Sequence, residues 1–135
     1  MVIASCQSDN DSAEDIQLEM KVYRQAADMG DFMTAAASLQ KVLVLDSTKK
    51  EYLDTLANIF YTVRNFGSAL KACEKWTKSY GPSENIMRIK GSTYEIMGDI
   101  DSAYETFDKL YLMSPKTKYL FKTALFDLLI GREKG

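Results

Sequence analysis

From Ile16 onward, apolar side chains recur three and four residues apart, the spacing of one face of a helix. Val22, Tyr23 and Ala26 make a first stripe, and Ala35, Leu39 and Val42 a second. Leu53, Leu56, Ala57 and Phe60 precede Ala69, Cys73 and Trp76; Met87, Gly91 and Tyr94 precede Ala103, Phe107 and Leu110. The pattern predicts three pairs of helices. Gly30-Asp31 and Gly98-Asp99 separate the members of two pairs. Gly supplies the left-handed residue that closes a helix, and Asp accepts bonds from the free amides that open the next. Arg64-Asn65 holds that place in the middle pair, where Asn is expected to tolerate the left-handed conformation. Between pairs, Ser47-Thr48 and Ser83 are expected N-caps, and Ser114-Pro115 a cap followed by proline at the first helical position.

The pairs are copies of one unit. Ala35, Ala69 and Ala103 are spaced by 34 residues, as are Phe32, Phe66 and Ile100, and Leu18, Tyr52 and Ile86. Met29, Val63 and Met97 keep the same step, and so do Asp31, Asn65 and Asp99. Five columns at one period define a repeat, with units over about 16–49, 50–83 and 84–117. Ala57 and Gly91 share one position in consecutive first helices, and the three alanines share one in the second helices. Small residues there let the paired helices approach closely.

These residues resemble tetratricopeptide repeats. The third unit matches best, with Gly91, Tyr94, Gly98-Asp99, Ala103, Phe107 and Pro115 in the family's register. The second keeps Leu56, Ala57, Phe60, Ala69 and Trp76 but has Arg64 in place of glycine. The first keeps Gly30-Asp31 and Ala35 but carries Tyr23 where a small residue is usual. The resemblance implies an all-α fold: an α-solenoid of three helix–turn–helix repeats wound into a right-handed superhelix. Residues 116–131 form a capping helix, expected to turn Phe121, Ala124, Leu125 and Leu128 inward. Tyr119, Phe126, Leu129 and Ile130 fall off that stripe, so this helix is apolar on more than one face. A dimer or partner contact is the alternative to a plain cap.

Residues 1–15 differ in kind. A short apolar stretch, Met1 to Cys6, precedes a polar, acidic one from Gln7 to Asp15, which is expected to be a flexible leader to the domain at 16–135. Ile3-Ala4-Ser5-Cys6 resembles the end of a bacterial lipoprotein signal, which implies lipid on Cys6. Ser8, Asp9 and Asp11 then resemble sorting signals of surface lipoproteins. The charged and most of the apolar region that open such signals do not precede these residues. A frayed cytoplasmic N-terminus is the alternative.

Composition narrows the function. Lys+Arg 17 against Asp+Glu 19 leaves no sequence-wide basic field, which argues against nucleic acid as a partner. Histidine is absent, removing the commonest general base and metal ligand. Without phosphate loops, Cys-x-x-Cys pairs or nucleophile–base motifs, no catalytic residue, cofactor or metal site is expected. Cys73, between Ala69 and Trp76, is expected to be a buried structural thiol.

The resemblance implies that first helices line a concave groove where a protein or peptide lies. By register the groove positions are Gln17, Met20, Arg24 and Ala27, then Glu51, Asp54, Asn58 and Tyr61, then Asn85, Arg88, Ser92 and Glu95. Asn58 matches an asparagine that the family uses to bond a peptide backbone. Arg24 and Arg88 suit a carboxylate, and Tyr61 offers a flat amphipathic surface. The clamp by which some family members hold chaperone tails is missing, since Met20, Arg24, Thr55, Asn85 and Ile89 stand at its positions. The expected function is a non-catalytic interaction module, tethered to a bacterial envelope through Cys6. An untethered cytoplasmic adaptor, or an accessory ligand-binding subunit of an envelope uptake or secretion complex, stays open beside it, as does the oligomeric state.

Overall fold

The computed structural model describes residues 2–134, and side chains over 10–131. The side chain of Cys6 lies outside the described residues. Among the described residues seven helices follow one another: α1 (Val2–Asp28), α2 (Phe32–Leu45), α3 (Tyr52–Thr62), α4 (Phe66–Tyr80), α5 (Glu84–Met97), α6 (Ile100–Met113) and α7 (Thr117–Lys134). Helices α1/α2, α3/α4 and α5/α6 pair within units, while α2 meets α3, α4 meets α5, and α6 meets α7. The fold is an α-solenoid of three helix–turn–helix repeats with a closing helix.

Each intra-unit turn is built alike. Gly30, Arg64 and Gly98, one period apart, have φ of +74°, +63° and +81°. The next residue caps the following helix: Asp31 accepts from the Thr34 amide at 3.1 Å, Asn65 from Ser68 at 3.4 Å, and Asp99 from Ser102 at 3.2 Å. In the middle unit the left-handed residue is therefore Arg64, not Asn65. The repeated docking geometry demands that conformation of whatever side chain stands there, and Asn65 is used for its cap oxygen instead.

Ser83 caps α5 as expected, accepting from Ile86 at 3.2 Å. The other inter-unit turns differ from expectation. Helix α3 opens at Glu51 without a side-chain cap. The Asp46 carboxylate organises that turn, accepting from the Thr48 amide and hydroxyl at 3.0 and 2.6 Å. Ser114 ends α6, and α7 starts only at Thr117. At the N-terminus α1 runs unbroken from Val2, so the segment expected as a leader is helical in its backbone.

Small residues set the helix spacing. Ala35, Ala57, Ala69 and Ala103 are completely buried. A Cβ placed on Gly91 would stand 2.7 Å from the Phe107 ring, inside contact distance. Around them Leu39, Leu56, Phe60, Ile86 and Ile89 form the core of the first two units and the start of the third, and Val42 is completely buried as well. Ala103, Phe107 and Leu110 continue it with Tyr119 and Phe126 of α7. Each large side chain contributes about 1.5–3 kcal/mol by leaving water. Cys73 is buried where α4 meets α5, its thiol directed at the Ile86 carbonyl at 3.8 Å, and burial pushes that thiol up to about 11.

The cap packs with the opposite face from the one expected. Tyr119, Thr123 and Phe126 are buried, whereas Phe121, Leu125 and Leu128 are exposed. The Phe107 ring decides this, with centroids 6.2 Å from Tyr119 and 5.8 Å from Phe126. Two aromatic rings pack against it, and the Tyr119 hydroxyl gains the Glu84 carboxylate as a partner.

Ala103→Leu should overpack the α5/α6 contact and lower stability by about 1–3 kcal/mol, read from the urea midpoint. An unchanged midpoint would contradict the close approach of these helices.

Candidate partner-binding groove

Among the first helices, α3 and α5 approach each other, and their facing polar residues join into one chain. Asp54 occupies the first turn of α3, and its carboxylate accepts from the Asn58 amide one turn later at 3.3 Å. The same Oδ1 accepts from Asn85 Nδ2 on α5 at 2.5 Å. Asn85 turns its carbonyl the other way, accepting from the Arg88 guanidinium at 2.7 Å. A neutral amide thus aligns its dipole between an anion and a cation on neighbouring repeats. It holds Arg88 by one nitrogen and leaves the rest of the planar fork for a ligand.

Beyond Arg88 the wall continues onto α7. Arg88, Ser92, Phe107, Lys118, Tyr119 and Lys122 line a pocket of about 180 Å³. The Lys118 ammonium lies 5.0 Å from the centre of the Tyr119 ring, and Lys122 is paired with Glu95, 2.8 Å to each carboxylate oxygen. Three cationic side chains therefore surround an aromatic floor. A carboxylate entering there exchanges water for charge-assisted bonds against low-dielectric walls, where such bonds strengthen.

The pocket's outer rim is fastened by Glu84, the first residue of α5. Its carboxylate pairs with Lys116, and accepts from Tyr119 Oη at 2.7 Å and Ser114 Oγ at 3.3 Å. Lys116 and then Tyr119, by hydrogen bonding to the ionised form, hold the Glu84 carboxyl down to about 2. Burial, then the adjacent Glu84, pushes the Tyr119 phenol up to about 12.

Of the residues singled out from the sequence, Asp54, Asn58, Asn85 and Arg88 are joined directly, and Glu95 reaches the same wall through Lys122. Tyr61 is half-buried, its ring 6.4 Å from Phe66, and packs on the core. Gln17 and Arg24 are exposed on α1, outside this network. Among the described residues α1 packs on α2 and does not approach α3 as α3 approaches α5. Met20 and Ala27 are partly buried against the core, and Glu51 is exposed. Lys118, Lys122 and Tyr119 were not among the expected groove residues. Lys122 follows Arg88 by one 34-residue period, so a fourth step of the repeat would have indicated it. Among the described residues no cluster of His, Cys, Asp or Glu could hold a metal, and no helix is long and apolar enough to cross a membrane.

Because Glu84 titrates lower in the fold than its ordinary value of 4.5, its ionised form favours folding. That contribution is present above pH 4.5 and is lost as pH falls toward about 2. Glu84→Gln should therefore melt below the wild type at neutral pH, the gap closing as pH drops through that window. A gap constant from neutral to acid pH would show that the Glu84 charge does not matter.

The sequence matches no family model and no curated protein. Solved structures do share its fold. A MamA protein superposes with a TM-score of 0.75 at 19% identity, over 88% of this chain and 66% of that one. A tetratricopeptide repeat protein from Parabacteroides merdae gives 0.76 at 16% identity, over 87% and 48%. The chain thus spans a little under two thirds of the first and about half of the second. The second TPR domain of human RPAP3, solved by NMR in complex with an HSP70 peptide, gives 0.68 at 13% identity, over 86% and 98%. Three repeated hairpins with left-handed closing residues, a closing helix and these superpositions together identify the fold of this chain as that of the tetratricopeptide repeats.

Proposed function

We propose that the chain is a non-catalytic protein-interaction module that takes an acidic peptide segment of a partner protein in its groove. The observation carrying this reading is the convergence of Arg88, Lys118 and Lys122 on one aromatic-floored pocket, continuous with the Asp54–Asn85–Arg88 chain. Peptide binding has a precedent in the fold, since the RPAP3 domain is a peptide complex. Asn58 and Asn85 supply neutral bonding groups along the wall, and the cations at its end favour a carboxylate over a neutral side chain.

Arg88→Glu should weaken binding of an acidic partner peptide at least tenfold, about 1.4 kcal/mol, while leaving thermal stability nearly unchanged. Titration calorimetry against a panel of acidic and neutral peptides, repeated at raised salt, reads this out. Preference for neutral peptides would overturn the reading, and an equal loss of stability would make Arg88 a structural residue.

The N-terminal sequence supports a finer reading, in which Cys6 carries lipid and holds the module at a bacterial envelope. Its support is Ile3-Ala4-Ser5-Cys6 with the acidic residues that follow. Metabolic labelling with a fatty-acid analogue in the native host should depend on Cys6, vanishing in Cys6→Ala. An unlabelled, cytosolic protein would leave an untethered adaptor.

A further inference from the structure

Arg88, Lys118 and Lys122 do not meet an entering anion as three equal charges. Lys122 is neutralised by Glu95, its ammonium 2.8 Å from each carboxylate oxygen. Arg88 is held by the neutral carbonyl of Asn85 at 2.7 Å, and that amide keeps the Asp54 carboxylate one side chain away. Lys118 rests over the Tyr119 ring. Among the described residues neither Arg88 nor Lys118 has a carboxylate within ion-pair distance. Two positive charges at this pocket are therefore uncompensated, one on α5 and one on α7. A single carboxylate balances only one of them. It also presents two oxygens in one plane, whereas the donors stand on two walls. Arg88 and Ser92 line the pocket from α5, and Lys118 and Lys122, one helical turn apart, line it from α7.

We infer that this pocket is a phosphate site: the acidic segment taken by the groove carries a phosphorylated serine or threonine, whose phosphate lies between Arg88 and Lys118. The inference rests on the reading of the groove as a site for acidic peptides. A phosphomonoester bears a charge of about −1.5 to −2 at pH 7 and three acceptor oxygens. It matches both the two uncompensated charges and the spread of the donors. The planar fork of Arg88, bonded to Asn85 through one nitrogen, has N–H groups left to take two oxygens side by side, and the Lys118 ammonium takes the third. A short stem suits the floor. Tyr119 and Phe107 are each 2% exposed and the Lys118 ammonium stands 5.0 Å from the Tyr119 centroid, so no open ring face is left for a phosphotyrosine to stack on. Phosphorylation of the partner then switches docking on, by supplying the second negative charge that a carboxylate lacks.

Degenerate peptide pools that differ only in a fixed central serine, glutamate, phosphoserine or phosphotyrosine test this by fluorescence polarisation with the full chain. The phosphoserine pool should bind about tenfold more tightly than the glutamate pool, and the serine pool most weakly. Lys118→Met removes one of the two uncompensated charges, so the phosphoserine preference should fall below about threefold. The melting temperature should stay unchanged, because Lys118 is exposed. Equal binding of phosphoserine and glutamate pools, both above serine, overturns the phosphate site and leaves the acidic-peptide reading standing. Equal or undetectable binding of every pool overturns both. A phosphoserine preference that survives Lys118→Met places the phosphate elsewhere and overturns the inference. Tightest binding of the phosphotyrosine pool overturns the short stem. Inorganic phosphate binding as tightly as the phosphoserine pool would make this a site for the free ion and overturns the peptide-borne assignment.

Discussion

The architecture depends on how closely two helices come together at a few positions without side-chain bulk. Where Phe107 lies against the backbone of Gly91, no other residue type fits without displacing a buried ring. Ala35, Ala57, Ala69 and Ala103 do the same elsewhere along the stack. Because the spacing is set by absence of volume, it repeats faithfully even where the remaining side chains change. The larger residues then add contact enthalpy and exclude water around a geometry already defined.

That geometry brings successive first helices near enough for polar side chains to bridge them. Asp54 and Asn85 are separated by 31 residues but share a hydrogen bond, so the groove wall is fastened between repeats and not only within them. The bond also orients Arg88, linking what stiffens the wall to what the wall can recognise. Glu84 performs a related task at the other edge, securing the turn into α7 and the ring that floors the pocket. The site is therefore a product of stacking: its cations come from two helices that are brought together only when α7 docks on α6.

Most of this organisation is visible in the sequence, because a close-packing constraint leaves columns of small residues at a fixed period. The caps at Asp31, Ser83 and Asp99 follow from local chemistry and were equally readable. Arg64 was not, since its left-handed backbone comes from the docking of two helices and not from its own preference. The orientation of α7 was hidden for another reason. Both of its faces are apolar, so periodicity finds two stripes and cannot rank them; the ring of Phe107, on a different helix, does the ranking. In the groove, register located Asp54, Asn58, Asn85 and Arg88 but said nothing of which atoms meet. Lys118 and Lys122 are not legible as wall residues in the sequence, because its apolar stripes mark α7 as a capping helix and not as another stretch of wall.

The buried thiol of Cys73 has a consequence for how the stack comes apart. It sits at the seam between the second and third units, shielded from reagents and held largely protonated at neutral pH. In a solenoid each unit touches only its neighbours, so separating α4 from α5 need not unravel the rest. The thiol then becomes reactive only while that seam stands open, and its alkylation rate measures the frequency of opening. The protein carries at its centre a chemical clock for the parting of its own repeats.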